Sequence, residues 1–194
     1  KNFLEIVVGK GFEKAAINIL KRKKNLRIID SSNLNKSDNE SIISNFSSLL
    51  IQTTDNKIIQ KRDLKVVSKK KPNKSMMNNL IFAFNVCKYV KSNAIVLTRD
   101  FCTVGIGSGQ SSRLDSCNIA IEKMNRFKLF DEYSDICAAS DAFFPFVDGI
   151  EKLALSGVKA IIQPSGSVRD REIINFADKL GIVLVFSNTR HFKH

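Results

Sequence analysis

The sequence predicts an α/β fold, with helices packed on both faces of a β-sheet. Short apolar runs typical of buried strands alternate along the chain with longer segments whose apolar residues recur at helical spacing. The chain opens with a strand, a helix and a second strand, and further strand–helix units follow to its end. Repeated units of this kind favour a sheet that helices cover on both sides.

In the first half of the chain, the pattern predicts four strands and two helices. The strands are predicted at residues 4–8, 26–29, 49–52 and 64–68. An amphipathic helix is predicted at 12–24. A longer helix is predicted at 75–90, after Pro72. The segment 30–45 is rich in Ser, Asn and Asp, so we expect an exposed loop there.

The stretch that follows combines strand, glycine and helix-start signals. Two strands are predicted at 94–97 and 102–106, joined by a tight turn. Three glycines lie within 105–109, where backbone without side chains can approach a ligand or adopt positive φ. Ser112 is a predicted N-cap, with Asp115 three residues later in the manner of a capping box. Such a strand, turn and helix start can bind an anion, and an ordinary glycine-rich turn is the other interpretation.

Arg113 lies in the first turn of this predicted helix. The positive end of the helix macrodipole disfavours a cation there, so an arginine at this place indicates a negative or polar partner. A solvated arginine is the alternative interpretation.

In the second half, strands are predicted at 136–140, 160–163 and 182–186, and helices at 150–156 and 172–180. A loop or short helix is predicted at 127–133. Ligands in such sheets bind where loops leave the carboxyl ends of strands. The Gly105 loop, the Asp148 loop, residues 165–167 and Arg190 all occupy such places, so we expect them to converge on one site.

Composition limits the classes of protein to consider. With 194 residues and 43% hydrophobic content, the chain can bury a real core as one domain or two small ones. No apolar run is long enough to span a bilayer, and no charged-then-apolar leader opens the chain. The first residue is Lys1 and a strand follows almost at once, which suggests a piece of a longer protein.

The cysteines are too widely spaced for a zinc site or a disulfide framework. The four are Cys87, Cys102, Cys117 and Cys137. We expect buried thiols in a reducing cytosol, and no bound metal. A zinc deaminase needs H-x-E and P-C-x-x-C motifs, and neither occurs. A dinucleotide-binding oxidoreductase needs a glycine spacing different from the one found here.

The net charge of +12 has several interpretations. It is compatible with nucleic acid, an anionic membrane surface or a phosphorylated small molecule as partner. The lysines are spread along the chain and no aromatic-rich RNA-binding signature accompanies them, so we expect neither nucleic acid nor membrane. Coding bias is the preferred interpretation and a phosphate-bearing ligand the second. A basic nucleic-acid-binding α/β module stays the alternative function.

Three segments carry a resemblance to a known family. They are KSNAIVLTRDFCTVGIGSGQSSRLDS, SDAFFPFVDGIEKLALSGVKAIIQPSGSVRDREII and the terminal TRHFKH. They resemble the C-terminal half of the formyltransferase region in the family of bifunctional purine biosynthesis enzymes. Those enzymes combine 5-aminoimidazole-4-carboxamide ribonucleotide (AICAR) formyltransferase with IMP cyclohydrolase. The likeness covers essentially the whole chain and is weakest across 30–45.

The resemblance implies a three-layer α/β/α fold of cytidine-deaminase-like units with a mixed sheet. In that interpretation residues 1–194 form the C-terminal portion of the formyltransferase region, with 1–45 as the end of a preceding unit and 46–194 as the main unit. The implied reaction transfers a formyl group from the cosubstrate 10-formyltetrahydrofolate to AICAR. A cytoplasmic homodimer with a shared active site is implied as well.

The resemblance also assigns binding roles by position. Residues that match the AICAR side are Glu5 (contributed across the dimer), Asn93, Arg113, Phe143 and Arg190. Residues that match the folate side are Leu114, Phe146, Asp148, Ser167 and Val168. Arg190 suits a phosphate because its fixed fork of donors matches phosphate oxygens. Asn93 is the candidate to orient the formyl oxygen. For Asp148, capping of the following helix is the alternative role.

No catalytic base is expected within the chain. The Lys-His pair that supplies the base in this family is expected upstream of Lys1, and the cyclohydrolase domain is expected outside the chain too. The histidines His191 and His194 give no ground for assigning them that role. The resemblance therefore implies a chain that holds much of the binding site but is inactive by itself.

Overall fold

The computed structural model of the protein describes residues 3–34, 40–126 and 135–193. The chain forms two compact units, Lys1–Thr54 and Asp55–His194. The loop or helix predicted at 127–133 lies outside the described residues, as does His194. The assignment of 1–45 to a preceding unit stays a prediction.

The first unit contains a parallel pair of strands and an antiparallel hairpin. Strand β1 (Ile6–Gly9) pairs with β2 (Arg27–Asp30), and helix α1 (Lys14–Leu20) connects them along the chain. The hairpin consists of β3 (Glu40–Asn45) and β4 (Ser48–Thr53). The opening strand–helix–strand prediction is confirmed.

The exposed loop predicted at 30–45 is wrong for its last part, because Glu40–Asn45 forms β3. This strand pairs with β4 from Glu40 opposite Thr53 to Asn45 opposite Ser48. All of its residues are exposed, so no buried face imposes the apolar alternation by which strands are found in a sequence. The cross-strand pairs that stabilise it join residues on both strands, which a local pattern does not show.

The second unit is built on a six-stranded mixed sheet. In spatial order its strands are β5 (Leu64–Val66), β10 (Val183–Ser187), β9 (Val158–Pro164), β8 (Ile136–Ser140), β6 (Ile95–Arg99) and β7 (Cys102–Gly107). Strands β8, β9 and β10 are parallel to one another. Strand β5 is antiparallel to β10, and β6 is antiparallel to both β7 and β8.

Helices cover both faces of this sheet. Helix α2 (Lys74–Cys87) packs on one face. On the other face lie α3 (Arg113–Arg126), α4 (Asp148–Leu155) and α5 (Asp170–Leu180). Along β6 the side chains alternate, because Ile95 and Leu97 belong to the α3 side of the core and Val96 to the α2 side. The predicted three-layer α/β fold with a mixed sheet is confirmed.

Two of the three glycines have a packing role that differs from the predicted one. Gly105 and Gly107 lie inside β7, not in a loop. A Cβ added at Gly105 would lie 2.1 Å from the Ala120 carbonyl oxygen, and one at Gly107 would lie 1.9 Å from that of Ser116. The backbone of α3 crosses β7 at such close range that only glycine fits at both positions. Gly109, with φ of +68°, is the one in the connection to α3.

No helix in the described part of the chain is long and apolar enough to cross a membrane.

Gly105→Ala tests the close packing of α3 on β7. The new methyl group has no room against a helix backbone, so we expect the free energy of unfolding to fall by about 1–3 kcal/mol or more. Thr103→Ala, at an exposed position of the same strand, is the matched control and should cost less than about 1 kcal/mol. Denaturant titration of both variants measures the difference, and equal losses would contradict the packing role.

Candidate active site

The loops that follow the parallel strands meet along one edge of the six-stranded sheet. This is the edge formed by the carboxyl ends of β8, β9 and β10. Strand β6 runs antiparallel to β8, and Ile95 at its start lies opposite Ser140 at the end of β8 and Gly107 at the end of β7. The segment before β6 and the loops after β7, β8, β9 and β10 therefore share this edge. Helices α3, α4 and α5 begin after β7, β8 and β9, so their N-termini lie there as well.

A cavity of about 570 Å³ opens at this edge. We call it the edge cavity. Seven residues with predicted binding roles line it: Asn93, Arg113, Leu114, Phe143, Phe146, Asp148 and Arg190. They come from four separate segments of the second unit. The convergence predicted for the Asp148 loop and Arg190 is therefore found, although neither Gly105 nor residues 165–167 line the cavity.

Arg113 is held at the edge cavity by a buried ion pair. Its Nη1 donates to Oδ1 of Asp141 at 2.5 Å and to Oγ of Ser140 at 2.7 Å. Its Nη2 donates to Oδ1 of Asn93 at 3.0 Å. Asp141 is fully buried, so it supplies the negative partner that the placement of Arg113 in a first helical turn indicated. The three bonds use three of the five N–H donors of the guanidinium, which leaves donors for a ligand in the cavity.

Asn93 ties the mouth of β6 to the loop that leads into α3. Its Nδ2 donates to the carbonyl oxygens of Gln110, at 2.9 Å, and Ser111, at 3.3 Å. Its own carbonyl oxygen accepts a hydrogen bond from Oγ of Ser116 at 2.7 Å. Ser112 acts as the predicted N-cap, because its Oγ accepts from the N–H of Asp115 at 3.2 Å. Asn93 thus has a structural role here whatever it does with a ligand.

Arg190 brings a second cation to the same cavity. Its guanidinium carbon lies 4.9 Å from the centroid of the Phe143 ring, a cation–π contact that fixes the direction of the side chain. Within the described residues no carboxylate forms an ion pair with it. Gly166 approaches from the loop after β9, and a Cβ there would lie 4.0 Å from Nη2 of Arg190. An exposed arginine without an acidic partner is suited to bind an anion.

The phenylalanines after β8 divide between core and cavity. Phe144 is 1% exposed and packs against Gly149, where an added Cβ would lie 2.6 Å from its ring. Phe143 is half-buried and Phe146 is 51% exposed, so these two present aromatic surface to the cavity. Asp148 is exposed beside them, and its Oδ1 accepts a hydrogen bond from the N–H of Gly149 at 2.7 Å. Helix α4 begins at Asp148 itself, with Val147 as the N-cap residue.

Comparison with known proteins fits this arrangement. The family model described as the AICARFT/IMPCHase bienzyme matches residues 1–123, more than half of the chain. The chain belongs to the AICARFT/IMPCHase bienzyme family. The resemblance seen in the sequence segments is confirmed at the level of the family.

Relatives named bifunctional purine biosynthesis protein PurH are similar to the chain over essentially its whole length. The protein of Fusobacterium nucleatum is 47% identical over 193 residues, which cover 99% of the chain and 37% of the relative. That of Brachyspira hyodysenteriae is 45% identical over 201 residues, covering 100% and 36%. That of Lactococcus lactis subsp. cremoris MG1363 is 40% identical over 198 residues, covering 100% and 38%. The chain thus spans well under half the length of these relatives.

Three residues with roles predicted from the family do not line the edge cavity. Val168 is fully exposed and lines a second cavity beside α5. Ser167 lies in the loop before α5, where its Oγ accepts from the N–H of Arg169 and its own N–H donates to Asp170. Glu5 belongs to the first unit and lines a cavity there together with Arg27.

Sequence reasoning missed two buried residues that lie behind the edge cavity, Asp141 and His191. Asp141 had no predicted role, and its position directly after β8 was the available signal. His191 was given no role, but it is 1% exposed. Its Nδ1 lies 2.5 Å from Oδ2 of Asp55, and its ring contacts Phe84. The backbone N–H of His191 donates to the backbone carbonyl oxygen of Asp141.

Cysteine and metal chemistry have no support at the edge cavity. Cys87, Cys117 and Cys137 are buried as predicted, but Cys102 is exposed, so that prediction is wrong for one of the four. Burial raises the pKa of the Cys117 and Cys137 thiols to about 12, so both are protonated at neutral pH. Among the described residues no cluster of His, Cys, Asp and Glu is arranged to hold a metal ion.

Asp141→Asn tests the buried ion pair. Asparagine keeps the shape but leaves the Arg113 guanidinium buried without a counter-charge, so we expect a loss of about 3–5 kcal/mol in the free energy of unfolding. Asp115→Asn is the control, because Asp115 is exposed in the first turn of α3 and should contribute at most about 1 kcal/mol through the helix dipole. Denaturant titration that gave equal, small losses for both would show that Arg113 does not depend on Asp141.

Proposed function

We propose that this chain forms the nucleotide- and folate-binding part of an AICAR formyltransferase in purine biosynthesis. In this proposal it corresponds to the C-terminal portion of that enzyme, which transfers a formyl group from 10-formyltetrahydrofolate to AICAR. The observation that carries the proposal is the edge cavity, where seven residues with family-derived roles meet. Membership of the bienzyme family and the PurH names of the relatives support the same reaction.

Arg190 and Arg113 have the chemistry that the nucleotide requires. AICAR carries a phosphate, and the exposed guanidinium of Arg190 offers a planar pair of donors to two of its oxygens. Arg113 is already oriented by Asp141, Ser140 and Asn93, so its remaining donors can bind the carboxamide or the formyl oxygen without the loss of further side-chain entropy. Phe143, held under Arg190, provides a flat apolar surface for the imidazole ring.

Phe146, Asp148 and Leu114 form the proposed folate side. A pterin ring presents adjacent N–H groups, and a carboxylate accepts hydrogen bonds on both oxygens. Oδ1 of Asp148 already accepts from Gly149, and because the residue is exposed and lines the cavity, a ligand there could use its other oxygen. The half-exposed ring of Phe146 is suited to contact one face of the pterin.

The general base belongs, in this proposal, to the Lys-His pair of the family and lies outside these 194 residues. His191 is buried against Asp55 and does not line the edge cavity. A positioned base contributes on the order of 10²- to 10⁴-fold, so the chain by itself is proposed to be inactive. A cytoplasmic homodimer in which Glu5 reaches a shared site is part of the same proposal, on the strength of the family resemblance.

Arg190→Ala tests the phosphate role. In the intact enzyme we expect AICAR binding to weaken by about 1.5–3 kcal/mol, the range for a hydrogen bond to a charged group. The corresponding nucleoside lacks the phosphate, so its affinity should hardly change. Calorimetric titration of both ligands gives the comparison, with Arg126→Ala on an exposed part of α3 as the control. An equal loss for nucleotide and nucleoside would make Arg190 a structural residue.

Asp148→Asn tests the folate side separately. The amide puts a donor where a pterin donor is expected, so KM for 10-formyltetrahydrofolate should rise roughly ten-fold, while AICAR affinity stays unchanged. Helix α4 is not capped by Asp148, because Val147 is its N-cap residue. The hydrogen bond from Gly149 survives because an amide oxygen can accept it, so a purely structural role of Asp148 predicts normal kinetics. Glu151→Gln in the same helical turn is the control. Steady-state kinetics with an unchanged folate KM would remove Asp148 from the site.

A further inference from the structure

We propose that a short segment, residues 55–57, positions Arg190 to bind an anionic group in the edge cavity. The inference rests on the proposed function, in which that group is the phosphate of AICAR. The segment contacts the residues on both sides of Arg190, which are Thr189 and His191. None of its three residues lines the edge cavity, so they act through Arg190 as positioning residues.

The chain around Arg190 has no regular structure of its own. Strand β10 ends at Ser187, and Arg190 follows in an irregular, exposed stretch. The main chain of this stretch bonds to the rest of the unit at His191, whose N–H donates to the carbonyl oxygen of Asp141 at 3.1 Å, and again at Lys193. A stretch without the hydrogen-bond ladder of a sheet opens easily unless other contacts hold it. The place of Arg190 therefore depends on the side-chain contacts of its neighbours.

One carboxylate both shapes the 55–57 segment and holds His191. Oδ1 of Asp55 accepts from the N–H of Lys57 at 3.1 Å, and Oδ2 lies 2.5 Å from Nδ1 of His191. Because a carboxylate only accepts hydrogen bonds, Nδ1 of His191 is the donor. The imidazole also packs on the ring of Phe84, with the centroids 4.6 Å apart. Asp55 thus fixes the direction of the residue that follows Arg190.

The other nitrogen of His191 shows that filling space is not the role of this side chain. Nε2 is buried, and within the described residues it has no hydrogen-bond partner. Burial of an unsatisfied polar atom costs free energy, whereas a leucine would fill a similar space without that cost. The bond to Asp55 is what an imidazole supplies here and a leucine does not. The geometry therefore favours orientation of the segment as the role of His191.

Lys57 holds the chain on the other side of Arg190. Its Nζ donates to Oγ1 of Thr189 at 2.6 Å, and the carbonyl oxygen of Thr189 accepts from Oγ of Ser187 at 2.8 Å. Between these two held neighbours, the guanidinium of Arg190 lies over the ring of Phe143 at the cavity wall. An anion that enters the cavity meets a cation whose backbone is already ordered, so less entropy is lost on binding.

Lys57→Met and His191→Leu test this positioning in the intact enzyme. Each removes one contact beside Arg190 and leaves the cavity wall unchanged. We expect the affinity for AICAR to fall about three- to ten-fold, the cost of ordering one long side chain on binding, and the affinity for the nucleoside to stay unchanged. Lys57 is exposed, so the midpoint of denaturant unfolding should hardly change in Lys57→Met. Lys61→Met removes the same charge at an exposed position outside the cavity and should change neither affinity.

The same two substitutions in an Arg190→Ala background show whether their effect passes through Arg190. In that background the side chain that they position is absent. Positioning therefore predicts no further loss of AICAR affinity, whereas independent effects would add to the loss from Arg190→Ala. Calorimetric titration of the single and double variants completes the cycle.

The outcomes separate this inference from the proposed function. An AICAR affinity that is unchanged in both single variants would overturn the positioning role, and so would an equal loss for nucleotide and nucleoside. A loss in Lys61→Met as large as that in Lys57→Met would overturn it too, because it would report a general effect of charge. These results leave the proposed function intact as long as Arg190→Ala weakens AICAR selectively. Failure of the wild-type enzyme to bind AICAR would overturn the proposed function and this inference with it.

Discussion

The ion pair between Arg113 and Asp141 connects the segments that form the edge cavity. Asp141 follows β8, Arg113 begins α3, and Asn93, which accepts from Arg113, precedes β6. Oδ2 of Asp141 accepts from Oγ of Ser92 at 2.6 Å, and its carbonyl oxygen accepts from the N–H of His191. A buried charge pair is stable only when its remaining donors and acceptors are satisfied, and these neighbours satisfy them. The stability of the cavity and its shape therefore depend on the same set of bonds.

The same set of bonds extends to the C-terminal segment that carries Arg190. On one side of Arg190, Nζ of Lys57 donates to Oγ1 of Thr189 at 2.6 Å. On the other side, His191 is buried against Asp55 and Phe84, and the N–H of Lys193 donates to Oγ of Ser92. Arg190 is thus an exposed residue between two anchored ones. The backbone on both sides of Arg190 is held in place, and its guanidinium contacts the Phe143 ring, which together lower the entropy lost on binding.

Burial made the central strands of the large sheet predictable from the sequence. Strands β6, β8, β9 and β10 are almost wholly buried, and their continuous apolar runs made them visible without any partner. Strand β3 was missed because all its residues are exposed and only pairing with β4 defines it. Phe143, Asp148 and Arg190 line the edge cavity, and the binding roles that family resemblance gave them stay predictions. Asp141 and His191 were missed. Their importance comes from contacts with residues such as Arg113, 28 positions away, and Asp55, 136 positions away, which no local pattern reveals.

The glycines of β7 show how a motif can serve a site without touching its ligand. The sequence allowed either backbone approach to an anion or an ordinary glycine-rich turn, but in the structure the close approach is between β7 and α3. Because Gly105 and Gly107 carry no side chain, the helix lies near enough for Oγ of Ser116 to reach the carbonyl oxygen of Asn93, and for Arg113 to reach Asp141. A side chain at either glycine would push α3 outward and lengthen both contacts. The glycine spacing is therefore a requirement of the ion pair, and through the ion pair it becomes a requirement of the cavity.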